Sequence, residues 1–206
     1  MRFFRPLLPV RWLFREGHFR LKGKEKSVCL SFDDGPDPAV TPEILKILDK
    51  YKVKAVFFCK GSEAEKYPSL VDDIRSRGHL IGNHTYSHLK GIKTSVDDYL
   101  KDVERASSST SDSLLRPPYG RLKIRQYKKL LEKYDIFFWD VMPYDFDTSL
   151  SPKQVLDIAL KKVRNGSIIV LHDRKGTAAP LMLDELLSTL TSYGYKFLLP
   201  EIRSGR

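Results

Sequence analysis

The 206-residue sequence predicts an α/β fold, an incomplete (β/α) barrel of about seven parallel strands. Two observations predict it. Short apolar runs alternate along the chain with segments of helical period, and ionisable residues gather just past the ends of five of the apolar runs. In barrels of this kind the strand C-termini converge on one face, so that clustering marks a site.

The elements follow in order. Residues 1–26 read as an N-terminal strap: Phe3, Phe4, Leu7, Leu8, Val10, Trp12, Leu13 and Phe14 are apolar, but Arg2, Arg5, Pro6, Pro9, Arg11 and Arg15 interrupt them. Two readings fit this mixture, a strap that packs its aromatics on the domain and an interfacial segment with basic residues at a lipid surface. The first strand is expected over 27–32 and ends in Asp33-Asp34-Gly35-Pro36. Thr41 caps a helix with Pro42 in its first turn and Ile44, Leu45, Ile47 and Leu48 inward. Strands at 55–59 and 79–82 flank a helix opened by Pro68, with Leu70, Val71 and Ile74 as its apolar stripe. Thr94 is expected to cap the next helix, which carries Val96, Tyr99, Leu100 and Val103. Strands over 113–115 and 136–139 follow, then a helix whose capping box is Ser151 with Gln154. The strand at 167–171, a helix over 180–192 and a strand at 196–199 complete the series.

Composition narrows the function classes. Lys and Arg number 36 against 26 Asp and Glu, a net charge of +10, which favours anionic partners. The excess is spread along the chain without an aromatic-basic motif, so no nucleic-acid partner is expected. Cys29 and Cys59 each lie in an apolar run and form no C-x-x-C pair, which predicts two buried thiols and no redox chemistry. No run is long enough for a membrane-spanning helix, and no uninterrupted core of a secretory signal is present. The expected location is therefore cytoplasmic or peripheral to a membrane. Oligomeric state is left open.

The chemistry concentrates at the strand tips. Asp33 and Asp34 are two carboxylates that repel unless a cation or a shared proton relieves them, although Asp-Asp-Gly-Pro is also an ordinary turn. His84 and His88, four residues apart, offer the cation site: one Asp and two His read as a metal triad. The other carboxylate, left free nearby, would serve as a general base. Arg116, Asp145 and His172-Asp173 stand past later strands.

Ser-Phe-Asp-Asp-Gly-Pro at 31–36, His-Thr-Tyr-Ser-His at 84–88, Arg-Pro-Pro-Tyr-Gly at 116–120, Asp145, and Leu-His-Asp at 171–173 resemble, in order and spacing, the motifs of the polysaccharide deacetylase family, carbohydrate esterase family 4. The resemblance covers about residues 27–199 and makes 27–206 the catalytic domain. It implies a distorted (β/α) barrel, a divalent metal, usually zinc with cobalt, nickel or manganese as alternatives, and removal of N-acetyl groups from a peptidoglycan or chitooligosaccharide-like sugar. Carried over by position, Asp33 matches the general base, and Asp34, His84 and His88 match the metal ligands. Two imidazoles and a carboxylate leave coordination positions open, as a catalytic ion requires. Their spacing also suits one face of a helical turn. Arg116 matches the residue that orients the base, and Tyr119 lies where a backbone group meets the oxyanion. His172 matches the general acid, Asp145 its tuning carboxylate, and Leu171 a wall of the acetyl pocket. Trp139 or Tyr144 would stack on the sugar. His18 and His79 match no motif and read as structural. The sequence departs from the family where Phe146 replaces the usual Trp and Met142 stands at a commonly polar spot.

Other functions are compatible with the same fold. One is deformylation of a lipid-linked sugar or hydrolysis of another amide. Another is a catalytically silent carbohydrate-binding module, against which the presence of both Asp33 and His172 argues.

Overall fold

The computed structural model describes residues 4–23, 26–111 and 113–202; Arg2 and Phe3 of the N-terminal segment lie outside them. In chain order the elements are α1 (Leu8–Leu13), β1 (Ser27–Asp33), α2 (Thr41–Lys50), β2 (Val56–Cys59), α3 (Gly61–Lys66), α4 (Pro68–Ser76), β3 (Leu80–Asn83) and α5 (Val96–Ser107). They continue with β4 (Leu114–Leu115), α6 (Ile124–Leu131), β5 (Asp135–Ile136), α7 (Pro152–Lys162), β6 (Ser167–His172), α8 (Ala179–Ser192) and β7 (Lys196–Phe197).

The strands form one sheet in the order β5-β4-β3-β2-β1-β6, with β7 also paired to β1. Every ladder is parallel. All seven residues of β1 are buried, because both of its faces are covered. Residues alternate between those faces. Val28, Leu30 and Phe32 join the layer under the helices, with Ile44, Leu45 and Leu48 of α2 and Leu183, Leu186 and Leu187 of α8. Cys29 turns into the barrel, where Val56, Phe58, Leu114, Phe137 and Ile168 fill the interior. Cys29 and Cys59 are free buried thiols, and burial pushes Cys29 up to about 12.

The barrel is open between β5 and β6. Single bridges span the seam: Val141 pairs with Ile169, His18 with Phe137, and Arg20 with Ser167. The N-terminal segment lies along this seam. Phe14 and Phe19 stack on Phe138 with ring centroids 5.4 and 4.6 Å away. The fully buried Asp140 gathers cations from both sides: Arg164 Nε donates to it at 2.9 Å, while Arg5 and Arg11 stand at 3.6 and 3.7 Å. Leu8 and Trp12 on α1 are 79% and 77% exposed. No helix among the described residues is long and apolar enough to cross a membrane.

Two helix starts differ from the sequence expectation. Val40, not Thr41, caps α2, because the Thr41 hydroxyl is engaged elsewhere: it accepts from the Asp37 N–H and donates to Asp173. Ser95, not Thr94, caps α5 and accepts from the Asp98 N–H, while Thr94 Oγ1 donates to the Lys90 carbonyl. The Ser151–Gln154 capping box forms as expected. Helices α1, α3 and α6 were not expected. Gln126 conceals α6: it is fully buried, accepts from the Lys123 N–H and donates to the Gly91 carbonyl, so a polar residue stands where an apolar one marks a stripe.

Candidate active site

β1 ends on Asp33, and the chain turns at once through Asp34, whose φ of 81° lies in the left-handed region. The turn is held from β6. The buried Asp173 accepts from the Gly35 N–H at 3.0 Å and from the Thr41 hydroxyl at 2.8 Å. A Cβ on Gly35 would sit 2.0 Å from the Asp173 carboxylate, so only glycine permits this approach. Burial pushes the Asp173 carboxyl up to about 8, against these hydrogen bonds.

The parallel register sets Asp33 beside His172 of β6. Asp33 Oδ1 accepts from Arg116 Nη1 at 2.7 Å. Arg116, fully buried past β4, also donates to Ser31 Oγ at 2.8 Å and to the Phe138 carbonyl at 2.9 Å, and its guanidinium lies over the Phe58 ring at 4.1 Å. Such an arginine has little freedom, so it fixes the carboxylate it holds.

His84 and His88 do not share a helical face, contrary to the sequence expectation. They lie in the loop after β3, with Thr85 and His88 at φ of 59° and 56°. Side chains shape that loop. Asn83 accepts from the Thr85 N–H at 2.8 Å, and Asp102 of α5 accepts from the N–H groups of Tyr86 and Ser87 at 2.9 and 3.0 Å. These bonds replace the helical ladder. The result still brings Asp34, His84 and His88 together, with one ligand atom of each within 4.8 Å of the others. His88 Nε2 is 3.1 Å and His84 Nε2 3.7 Å from Asp34 Oδ1.

The donor set suits a divalent ion. Burial drives His84 down to about 4, so its ring is neutral at ordinary pH. Its Nδ1 lies 2.7 Å from the Arg116 carbonyl; the proton belongs on that nitrogen, which leaves the Nε2 lone pair facing the triad. Asp34 Oδ1 is buried without a hydrogen-bond partner. Burial alone would raise the Asp34 carboxyl, but the surrounding histidines outweigh it and hold it well below the usual carboxylate range. Its Oδ2 accepts from Arg174 Nε at 2.8 Å, a contact that the sequence did not suggest.

Asp145 grips His172 twice: Oδ2 accepts from the backbone N–H and Oδ1 lies 2.8 Å from ring Nδ1. Burial pulls the imidazole down, but Asp145, with Asp33 and Asp34 farther off, outweighs it and raises His172 to about 9. Phe146 packs edge-on against this ring at 4.8 Å.

These groups open into a cavity of about 800 Å³, lined also by Tyr119, Trp139, Met142, Tyr144 and Phe146. Tyr119 is 55% exposed, has φ of 61°, and sets its ring 4.8 Å from His88. Leu171 does not line the cavity. Strand alternation turns it under the helices with Ile169, and Val170 is the buried residue on the His172 side of β6. His79 stays structural: its Nδ1 accepts from the Ala55 N–H, and burial lowers it to about 4. His18 stands 3.5 Å from Asp135 in the seam.

Known proteins resemble this chain in sequence and fold. The profile described as polysaccharide deacetylase matches residues 20–136. The chain is 34% identical over 192 residues to the peptidoglycan-N-acetylmuramic acid deacetylase PdaC of Bacillus subtilis, covering 88% of this chain and 40% of that protein's length. It is 32% identical over 201 residues to a peptidoglycan-N-acetylglucosamine deacetylase of Bacillus cereus, covering 92% and 73%. The crystal structure of the Bc1960 peptidoglycan N-acetylglucosamine deacetylase superposes with a TM-score of 0.86 at 31% identity, over 93% of this chain and 94% of that one. Fold and site together define a carbohydrate-directed amide hydrolase built on a distorted, open (β/α) barrel. The chain belongs to the polysaccharide deacetylase family, carbohydrate esterase family 4. Deacetylases of this family depend on a metal ion, and Asp34, His84 and His88 form the triad that can hold it.

Proposed function

We propose that this chain removes N-acetyl groups from amino sugars of a peptidoglycan or chitooligosaccharide-like glycan, with a divalent ion, zinc by preference, on Asp34, His84 and His88. The observation that carries the reading is the convergence of three units at one cavity: the Asp34–His84–His88 triad, the Asp33–Arg116 pair and the Asp145–His172 pair. When bound, the ion supplies Lewis-acid chemistry towards the amide carbonyl and water. Asp33, fixed by Arg116, takes the proton of the attacking water. The backbone at Tyr119 donates to the oxygen on which negative charge develops. His172 carries a proton, held there by Asp145, and gives it to the departing amine, which is a poor leaving group without one. Trp139, Tyr144 and Phe146 present ring faces to the sugar. Residues 27–206 form the catalytic domain in this reading, and 1–26 a strap beside its cavity.

The test is acetate release from N-acetylglucosamine oligomers and from peptidoglycan fragments, with zinc and with chelator. Asp33→Asn is expected to keep its zinc while kcat falls by roughly 10²- to 10⁴-fold, the range for losing a general base. Undiminished turnover would remove Asp33 from that role, and absence of any acetate would favour a silent binding module. One observation supports a second substrate. Leu7 and Val10 line the cavity while Leu8 and Trp12 beside them are exposed, which suits a lipid-linked sugar met at a membrane surface. Scoring formate as well as acetate on lipid-linked sugars separates the two.

A further inference from the structure

The charge around the cavity is uneven. Besides the protonated His172, its lining holds five Lys and Arg side chains, Arg5, Lys60, Lys90, Arg121 and Arg174, against two carboxylates, Asp33 and Asp34. Both carboxylates are committed to the triad and the Arg116 pair. Two of the cations are committed as well: Arg174 donates to Asp34, and Arg5 stands by Asp140 and donates to the Lys162 carbonyl. Lys60, Lys90 and Arg121 remain. Lys60 has only a distant contact, 3.9 Å from Glu63. Neither Lys90 nor Arg121 has a carboxylate partner among the described residues.

Their placement is one-sided. Lys60 follows β2, Lys90 sits in the loop after β3 and Arg121 in the loop after β4, so three neighbouring strands contribute one cation each. The lining residues that follow β5, Trp139, Met142, Tyr144 and Phe146, carry no charge and are mostly aromatic, and Trp139 packs against Gly120 beside Arg121. Lys90 also lies close to the chemistry, since its ammonium is 5.2 Å from the Tyr119 ring, which is itself 4.8 Å from the His88 ring. A neutral glycan gives these cations nothing to pair with. A sugar with a carboxylate on one edge fits both sets of groups at once, its ring face on the aromatic residues and its acid towards the cations.

We propose that Lys60, Lys90 and Arg121 select a carboxylate-bearing N-acetylated glycan over a neutral one. The inference rests on the reading of this cavity as the glycan site. The carboxylate can sit on a lactyl ether of the sugar or on a peptide stem attached to it; the chemistry that the cations read is the same.

The test compares three tetrasaccharides on the zinc-loaded full chain: a neutral N-acetylglucosamine oligomer, an alternating oligomer with N-acetylmuramic acid, and the latter with peptide stems. The readouts are kcat/KM for acetate release and Kd by calorimetry at low and high salt, for wild type and for the triple variant Lys60→Gln, Lys90→Gln, Arg121→Gln. Wild type is expected to favour the carboxylated oligomers. In the variant, the ratio of carboxylated to neutral kcat/KM should fall about tenfold, as expected for three exposed charge contacts. The change should appear in KM and weaken in high salt. Preference for the stemmed oligomer alone assigns the carboxylate to the peptide. An equal loss on neutral and carboxylated substrates, or a wild type that prefers the neutral one, overturns the proposal. Salt-sensitive, variant-sensitive binding of the carboxylated oligomers without acetate from any substrate would uphold the anion site and overturn the hydrolase reading instead.

Discussion

Replacing Asp145 with Asn tests the proton donor directly. His172 stands at about 9 against an ordinary 6.5, although it is only 12% exposed. At about 1.4 kcal/mol per tenfold, that rise amounts to about 3 kcal/mol of added stability for the imidazolium, and burial works against it. Asp145 is the largest favourable source. Asn keeps an oxygen for the His172 N–H but loses the charge, so the ring should return to 6.5 or lower. At pH 8 the protonated fraction then drops from about nine in ten to about three in a hundred, a loss of about thirtyfold in kcat/KM. At pH 6 most rings are protonated in either protein if the value is near 6.5, and the loss should shrink. The assay is kcat/KM from pH 5.5 to 9.5, together with an NMR titration of the His172 ring. A deficit of the same size at pH 6 and pH 8, with an unmoved titration, would refute the assignment of Asp145 as the source of the raised value.

Further outcomes follow from the same geometry. His84→Ala should lower zinc affinity by about a hundredfold or more, read by competition with a chromogenic chelator; unchanged retention would place the ion elsewhere. Asp140→Ala leaves Arg5, Arg11 and Arg164 around a vacated acid and should cost about 3 kcal/mol in denaturant unfolding, the low end for a broken buried ion pair because Arg164 is partly exposed. A cost below 1 kcal/mol would show that the seam does not depend on it. Above pH 6.5, stability should fall with rising pH. His172 is raised, so its contribution is complete below 6.5 and is lost as pH passes about 9. Asp173 is also raised, so folding favours its protonated form and the benefit is lost between 3.8 and about 8. Tm should decline from pH 6.5 to 9, above the range in which the lowered His79 and His84 add stability with rising pH; a curve that rises over that window would contradict both assignments.

The sequence revealed most where one residue type does one job. β1 could be read because a strand covered on both faces is apolar throughout, and Ser151 because a capping box needs only four residues. The residues that converge on the cavity could be read because parallel strands bring their C-termini to one face. What stayed hidden depends on parity and on distant partners. Leu171 is one residue out of phase with His172, which sends it under the helices rather than into the cavity. The His84–His88 spacing suggested a helical turn, but Asn83 and Asp102 fold it as a loop, and Asp102 is 18 positions from His84. Arg174 and Asp173 reach back across about 140 residues to the Asp34 turn. No local pattern encodes such a return.

The seam between β5 and β6 separates fit from chemistry. Every proton-handling or ligand side chain comes from the tips of β1, β3, β4 and β6 or from the Asp145 loop, whereas the segment from Arg5 to Val10 contributes only wall. Substitutions along α1 can therefore reshape the entrance without disturbing the acid, the base or the ligands. Exchanging that short stretch is the natural first step for redirecting this scaffold to bulkier or narrower glycans.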